Sequence, residues 1–172
     1  MAQTFQKGEH VCYGMHGVCL IEDVREISVA KTKDTFYVLR PLRDRHSTFF
    51  IPIGNDALSE KMRAPITRDE IDAMIDQVRV DTGEWIEDRK MRMEASKEVL
   101  RQADPEKLLR LCVLLYAKKQ ELSEAGKRMT PSDEGVLKQA EDLIANEFGY
   151  VLIMPTDDVA SYIKNRLKAS KA

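Results

Sequence analysis

The spacing of hydrophobic positions changes near residue 62. Before it, short runs rich in Val, Ile, Phe, Tyr and Thr are separated by turn segments that contain Gly, Lys-Thr-Lys-Asp or Arg-Asp-Arg-His. Runs of this length and composition are typical of β-strands, and the four clearest are HVCY, VCLIEDV, TFYVLRPL and STFFIPI. Four or five antiparallel strands in so short a length predict a small SH3- or Tudor-like barrel over residues 1–62.

From residue 66 the apolar residues recur at helical spacing instead. Thr67 and Glu70 have the spacing of a capping box, in which each side chain satisfies a backbone N–H of the other residue. The apolar stripe that follows is formed by Ile71, Met74, Ile75 and Val78. These features predict that a helix begins directly after Thr67.

Further helix boundaries are marked by capping residues, prolines and glycines. A second helix is expected from about Thr82 to Gln102. Asp104-Pro105 and Thr130-Pro131 each place a capping side chain before proline, a combination favoured at a helix start. Gly149 is expected to end the helix that begins at Thr130-Pro131, and Thr156 to begin the last one. The sequence therefore predicts an α+β protein, with the barrel followed by an all-α bundle of about five helices at residues 66–172.

Composition and charge narrow the class of protein. Lys and Arg number 27 against 29 Asp and Glu, so the net charge of −2 provides no overall attraction to nucleic acid. No apolar run reaches 18 residues and no secretory signal is visible, so we expect a cytoplasmic protein without a membrane segment. Three cysteines, an odd number without framework spacing, argue against a disulfide scaffold.

The segment GEHVCYGMHGVC brings together four side chains of the kinds that bind metals: His10, Cys12, His16 and Cys19. Zinc sites usually take ligands from paired knuckles, whereas here the spacing is Cys-x3-His-x2-Cys across one hairpin. We therefore favour buried, hydrophobe-like cysteines with His16 in a turn, and expect neither a metal nor a cofactor. A structural metal and a reactive thiol remain the alternatives.

Enzymatic motifs are missing from the sequence. It contains no P-loop, no GxGxxG, no HExxH and no serine elbow, and no carboxylate pair stands out from the charged background. The sequence therefore favours a binding protein over an enzyme.

The strand-rich opening resembles the CarD/CdnL family of bacterial RNA polymerase-binding transcription factors. That family begins with the pattern hydrophobic-x-x-Gly-Asp/Glu-x-Val-x-Tyr-x-x-His-Gly-x-x-x-Ile/Val, and the same module occurs in the transcription-repair coupling factor. The matching positions here are Phe5, Gly8, Glu9, Val11, Tyr13, His16, Gly17 and Ile21. The resemblance continues through YVLRPL and FFIPI, through DTGEWIEDRKMRM with its lone tryptophan, and through the stretch that begins SDEGVLKQAEDLIANEF.

The resemblance implies a site for the β subunit of RNA polymerase on the barrel. The strand of residues 48–51 would pair with the protrusion of that subunit, and Ile27 aligns with a second contact position. Family members often carry arginines at two of these positions, where this chain has Ile27 and Phe50, so apolar contact would replace charge. The two neighbouring phenylalanines of STFFI should point to opposite faces of the strand, so that one can serve the core while the other stays available. The alternative is that both belong to the barrel core. The implied contact residues are Ile27, Thr48, Phe49, Phe50 and Ile51.

The resemblance also implies weak, non-specific contact with promoter DNA. The tryptophan of the family wedges into the minor groove at the edge of the melted bubble, replacing base stacking. Residues 79–101 carry six basic and six acidic residues, and Glu87 and Asp88 follow the tryptophan where family members tend to be basic. Residues 107–130 are more basic. The candidate DNA contacts are Trp85, Arg89, Lys90, Arg92, Lys127 and Arg128.

Two purely structural alternatives to this interpretation remain open. The tryptophan can belong to the helical core, and the basic residues can form an ordinary solvated surface. An adaptor protein is the second functional hypothesis, in which the acidic 132–158 segment binds another protein instead of DNA. In either case we expect a monomer.

Overall fold

A computed structural model describes residues 4–169. The chain divides into two compact units, one ending at Pro65 and the other beginning at Ile66. Strands form the first unit and helices the second, so the predicted α+β class is confirmed. No helix within residues 4–169 combines the length and hydropathy needed to cross a bilayer.

The first unit is an antiparallel sheet with the strand order β4-β3-β2-β1-β5, consistent with a Tudor-like domain. Its core forms because side chains of a strand alternate between the two faces of the sheet. Val11, Cys19, Ile21, Tyr37 and Leu39 point to one face and are buried there. The strands are β1 (His10–Tyr13), β2 (Val18–Val29), β3 (Thr32–Pro41), β4 (Phe49–Pro52) and β5 (Met62–Arg63), with a short helix α1 (Asp56–Ser59) before β5.

The β2–β3 hairpin is longer than the sequence indicated. Residues of the expected Lys-Thr-Lys-Asp turn lie in β3, because pairing continues to Val29 opposite Thr32. This register leaves only Ala30 and Lys31 to reverse the chain, with φ angles of 48° and 73°. Two consecutive positive φ angles are the geometry of a type I′ turn, which matches the twist of the flanking strands.

The second unit is a bundle of five helices around one core. The helices are α2 (Arg68–Val80), α3 (Arg89–Gln102), α4 (Pro105–Glu124), α5 (Pro131–Leu152) and α6 (Thr156–Ala169). The predicted capping box at Thr67 and the predicted caps at Asp104 and Thr130 are all present. The core contains Ile71, Ile75 and Val78 of the predicted stripe, together with apolar residues of α4 and α5, including Leu108, Leu115, Val136, Ile144 and Phe148.

The predicted start of the second long helix is wrong. Residues 81–88 are not helical, and α3 begins only after Asp88, whose Oδ1 accepts a hydrogen bond from the backbone N–H of Met91 at 2.8 Å. Gly83 has a φ of 82°, which an α-helix cannot accommodate. Trp85 therefore lies in an irregular segment instead of on a helix.

Gly149 does not end α5, which continues to Leu152. The helix stops at Ile153, which adopts the left-handed conformation. Gly149 is instead a point of close approach, because a Cβ there would lie 3.1 Å from the carbonyl oxygen of Met154 and 3.6 Å from Cγ2 of Val159. The absence of a side chain lets the start of α6 pack directly on α5.

Two glycines of α5 should respond oppositely to alanine. Gly149→Ala should lower the free energy of unfolding by about 1–3 kcal/mol, because it overpacks a backbone contact. Gly135→Ala should raise it by about 0.5–1 kcal/mol, because an added Cβ meets no atom within 4 Å and alanine favours the helix. Urea unfolding of both variants measures the difference, and equal stabilisation by the two substitutions would contradict the close approach.

Candidate functional site

Strand β4 lies at one edge of the sheet. It pairs with β3 in a register that places Val38 opposite Phe50 and Tyr37 opposite Ile51. Among the described residues no strand pairs with its other edge. An unpaired edge presents a row of backbone N–H and C=O groups to which another chain can add a strand.

The side chains of β4 divide between the two faces of the sheet as the sequence suggested. Ile51 is buried and Phe49 packs against the sheet core, whereas Phe50 is 48% exposed. The alternative in which both phenylalanines belong to the core is therefore wrong. Thr48, directly before the strand, is also exposed.

Ile27 and Phe50 point to the same face of the sheet although they are two strands apart. Cross-strand partners share a face, so Val38 lies on the face of Phe50 and Phe36 on the face of Arg25. Residues two apart on one strand also share a face, which places Phe36 with Val38 and Ile27 with Arg25. The half-buried Phe36 thus lies between the two candidate contact positions. Sequence reasoning missed Phe36, because only the register of three strands shows that it belongs to this face.

The loop before β4 is held by charged side chains. Arg40 pairs with Glu22, with 3.0 Å between Nη2 and Oε2, and its Nη1 also donates to the carbonyl oxygen of Arg45. The hydrogen bond from Arg40 holds the pKa of Glu22 below its usual range. Asp44 accepts hydrogen bonds from the backbone of His46 at 3.1 Å and from the Ser47 hydroxyl. These contacts fix the chain where it enters the exposed edge strand.

The opening segment contains two buried cysteines and a histidine that contacts two aromatic rings. Cys12 and Cys19 are buried, and burial raises the pKa of the Cys19 thiol to about 12, far from a reactive thiolate. His16 lies in a one-turn 3₁₀ helix (Gly14–His16), with its ring centroid 4.2 Å from that of Phe49 and 5.6 Å from that of Tyr13. Within the described residues, no three or more His, Cys, Asp or Glu side chains are grouped so that they could hold a metal ion.

Trp85 is half-buried and packs against the helical core. The guanidinium carbon of Arg92 lies 4.4 Å from the centroid of the indole ring, and the ammonium nitrogen of Lys118 lies 5.2 Å from it. Both distances are in the range of cation–π attraction. The indole is thus in contact with two cations, of which Lys118 was not among the candidate residues.

Arg92 was a candidate DNA contact, but its side chain is hydrogen-bonded within the helical unit. Its Nε and Nη2 donate to both oxygens of Asp133 at 3.0 and 2.9 Å. Its Nη1 donates to the carbonyl oxygens of Ile86 at 2.9 Å and Glu87 at 3.2 Å. The side chains of Arg92 and Asp133 are only 11% and 2% exposed. With its donors engaged in this way, Arg92 is withdrawn from the candidate phosphate contacts.

The partner of Arg92 had no distinguishing signal in the sequence. Asp133 stands three residues after the Thr130 cap, where an acidic residue is ordinary at a helix start. Burial by itself raises the pKa of Asp133, but hydrogen bonds from Arg92 and Thr130 outweigh it and leave the pKa below its usual value. Asp133 is therefore a buried carboxylate kept ionised by its partners.

The other four basic candidates are exposed: Arg89, Lys90, Lys127 and Arg128. Arg89 donates to the hydroxyl of Ser132 at 3.4 Å, so the start of α3 lies beside the start of α5. Lys127 and Arg128 lie in the loop that leads into α5, directly after Gly126. That loop is fixed by a bond from the backbone N–H of Lys127 to the carbonyl of Leu122 at 2.7 Å. The fold therefore brings two basic pairs, distant in sequence, to the same end of the helical unit.

The first unit is thus an interaction domain, a small sheet with an open, partly apolar edge. Residues 5–65 match the model of the family described as the CarD-like/TRCF RID domain. The expected CarD-like resemblance is confirmed over these residues. Domains of this family interact with the β subunit of RNA polymerase, which supports a polymerase-binding transcription factor, and the family is not known as an enzyme family. No curated protein matches the chain.

The ion pair at Arg92 should appear in the pH dependence of stability. Asp133→Asn should lower the free energy of unfolding by about 2–4 kcal/mol at pH 7, because Arg92 then lacks its buried counter-charge. Since the pKa of Asp133 is lowered by folding, its contribution is present above the unfolded pKa of about 3.9 and is lost as pH falls through the folded pKa.

The difference between the wild-type protein and the Asn variant should therefore be largest above about pH 5 and shrink in more acidic solution. Urea titrations from pH 7 down to pH 3 measure it. A constant difference at every pH would contradict an ionised Asp133.

Proposed function

We propose that the protein is a non-enzymatic regulator of bacterial transcription initiation. Its N-terminal sheet binds the β subunit of RNA polymerase, and its helical unit stabilises the opened promoter through Trp85. One observation carries the proposal: a domain of a polymerase-interacting family has an open edge strand with an exposed Phe50. We expect the protein to act as a monomer in the cytoplasm, without cofactor or metal.

Strand addition at β4 accounts for polymerase binding. A strand of the β subunit would pair with the backbone of residues 48–51, and side chains would supply the specificity. Phe50, with Phe36 and Ile27 on the same face, offers an apolar surface where other family members carry arginines. Affinity should therefore depend weakly on salt, because no charge pair carries it.

Phe50→Glu should weaken binding to RNA polymerase about 10- to 100-fold, the loss expected of a central apolar contact. Val80→Glu is the matched control, because Val80 is 79% exposed and lies in the other unit. Surface plasmon resonance with immobilised polymerase measures both variants, and full affinity in Phe50→Glu would exclude β4 as the site. Repeating the measurement from 50 to 300 mM salt tests the apolar character of the contact.

The helical unit supports a DNA contact that needs polymerase to deliver it. Arg89, Lys90, Lys127 and Arg128 are available to phosphates, but Glu84, Glu87 and Asp88 surround Trp85 in the sequence. Such a mixed surface gives little affinity for free DNA, since phosphate neutralisation supplies most of it. Once the sheet is bound to polymerase, the local concentration of promoter DNA makes a weak contact effective.

Trp85→Ala should shorten the regulator-dependent lifetime of open complexes about tenfold, because the indole offsets about 1.4 kcal/mol of the cost of unstacking the bases. Polymerase affinity should be unchanged. Tyr116→Ala is the aromatic control, since Tyr116 is exposed on α4 and its hydroxyl accepts a hydrogen bond from Lys164 on α6, far in sequence from the Trp85 segment. The measurement is the decay of complexes on promoter DNA after addition of heparin.

A silent Trp85→Ala variant together with intact polymerase binding would favour the adaptor hypothesis. That hypothesis has lost part of its basis, because two acids of the 132–158 segment are engaged within the helical unit. Asp133 pairs with Arg92, and the buried Glu147 accepts a hydrogen bond from the backbone N–H of Ile66 at 3.0 Å. The DNA-contacting role is therefore the one we propose.

A further inference from the structure

The segment that carries Trp85 is irregular but firmly held. At its start, Asp81 accepts a hydrogen bond from the backbone N–H of Gly83 at 3.0 Å and lies 3.9 Å from Arg110. At its end, Asp88 caps α3. Between these points, the segment lacks helical or strand hydrogen bonds of its own, and its Ile86 and Glu87 carbonyls accept from Arg92.

A single guanidinium thus joins three parts of the unit. Arg92 binds the carbonyls of residues 86 and 87, contacts the Trp85 ring at 4.4 Å, and pairs with Asp133 on α5. Asp133 is itself oriented by the Thr130 hydroxyl, which donates to Oδ2 at 2.8 Å. The planar fork of arginine makes this possible, since five N–H donors in fixed geometry can serve a carboxylate and two carbonyls together.

We propose that Arg92 and Asp133 are positioning residues that hold the Trp85 indole ready for its contact with DNA. The proposal rests on the proposed function and adds which residues fix the position of the indole. A segment without regular structure would lose conformational entropy on binding, and that loss would oppose a contact already weakened by neighbouring acids. An indole fixed beforehand by the core avoids this loss.

If the proposal holds, Arg92 affects the lifetime of open complexes only through its effect on Trp85. Arg92→Lys keeps the positive charge beside the ring, but a single ammonium cannot bind both carboxylate oxygens and both carbonyls at once. Arg101→Lys is the matched control, because Arg101 lies on the same helix and pairs with Glu98 at the surface. Each substitution is made in the wild-type chain and in the Trp85→Ala chain.

Two measurements are combined. Acrylamide quenching of the lone tryptophan reports whether the indole is held, and it should increase about twofold in Arg92→Lys as solvent gains access to the segment. The lifetime of heparin-challenged open complexes should fall about fivefold in Arg92→Lys, as expected for loss of part of a charge-assisted pair. In the Trp85→Ala background, Arg92→Lys should have no further effect on lifetime. Arg101→Lys should be silent in both measurements.

The outcomes separate this proposal from the function on which it rests. If Trp85→Ala shortens the lifetime but Arg92→Lys does not, or if the two effects multiply, the positioning role is overturned and the function stands. If Trp85→Ala itself is silent, the function fails and the positioning role falls with it. Should Arg92→Lys not fold, Asp133→Asn replaces it, because asparagine keeps the shape and one acceptor oxygen. The same quenching increase and the same dependence on Trp85 are then expected.

Discussion

The buried pair of Arg92 and Asp133 is the interaction on which the candidate DNA-contacting end of the helical unit depends. Removing two charges from water is expensive, and such a pair is favourable only when geometry and additional hydrogen bonds are good. Here the carboxylate is bound through both oxygens and oriented by Thr130, while the remaining donors of Arg92 hold the backbone before α3. The ion pair therefore does more than join α3 to α5, because it also determines where an irregular segment and its indole lie.

The sheet unit follows a different physical rule. Its candidate site is a backbone edge, and edges are normally shortened, charged or covered because they invite aggregation. Strand β4 is short, four residues long, and the ordered loop before it is held by Arg40 and Asp44. A short, anchored edge with one exposed aromatic residue is suited to one defined partner strand. The two units thus contain separate candidate sites, a backbone edge in one and an indole near basic residues in the other.

Local features of the sequence predicted much of the fold. Caps at Thr67, Asp104 and Thr130 act within one helical turn, so their signals can be read directly from neighbouring residues. The alternation in STFFI likewise predicted that Phe49 and Phe50 would point to opposite faces. The predictions for residues 82–88 and Gly149 were wrong for a common reason: each followed a local propensity that another contact overrode. The Asp88 cap makes α3 begin later than predicted. Gly149 resembled a stop signal, but its small size is explained by the close approach of Met154 and Val159.

The sequence by itself determined the two periodicities, the order of the units, most helix ends and the candidate edge strand, because these depend on residues close together in the chain. Only the tertiary structure decided the roles of individual charged and aromatic side chains. Arg92 looked like its neighbours Arg89 and Lys90, yet it forms a buried ion pair with a carboxylate 41 residues away. Phe36 joined the face of Ile27 and Phe50 through a register that spans three strands. Such assignments depend on contacts between distant parts of the chain, and no local pattern carries that information.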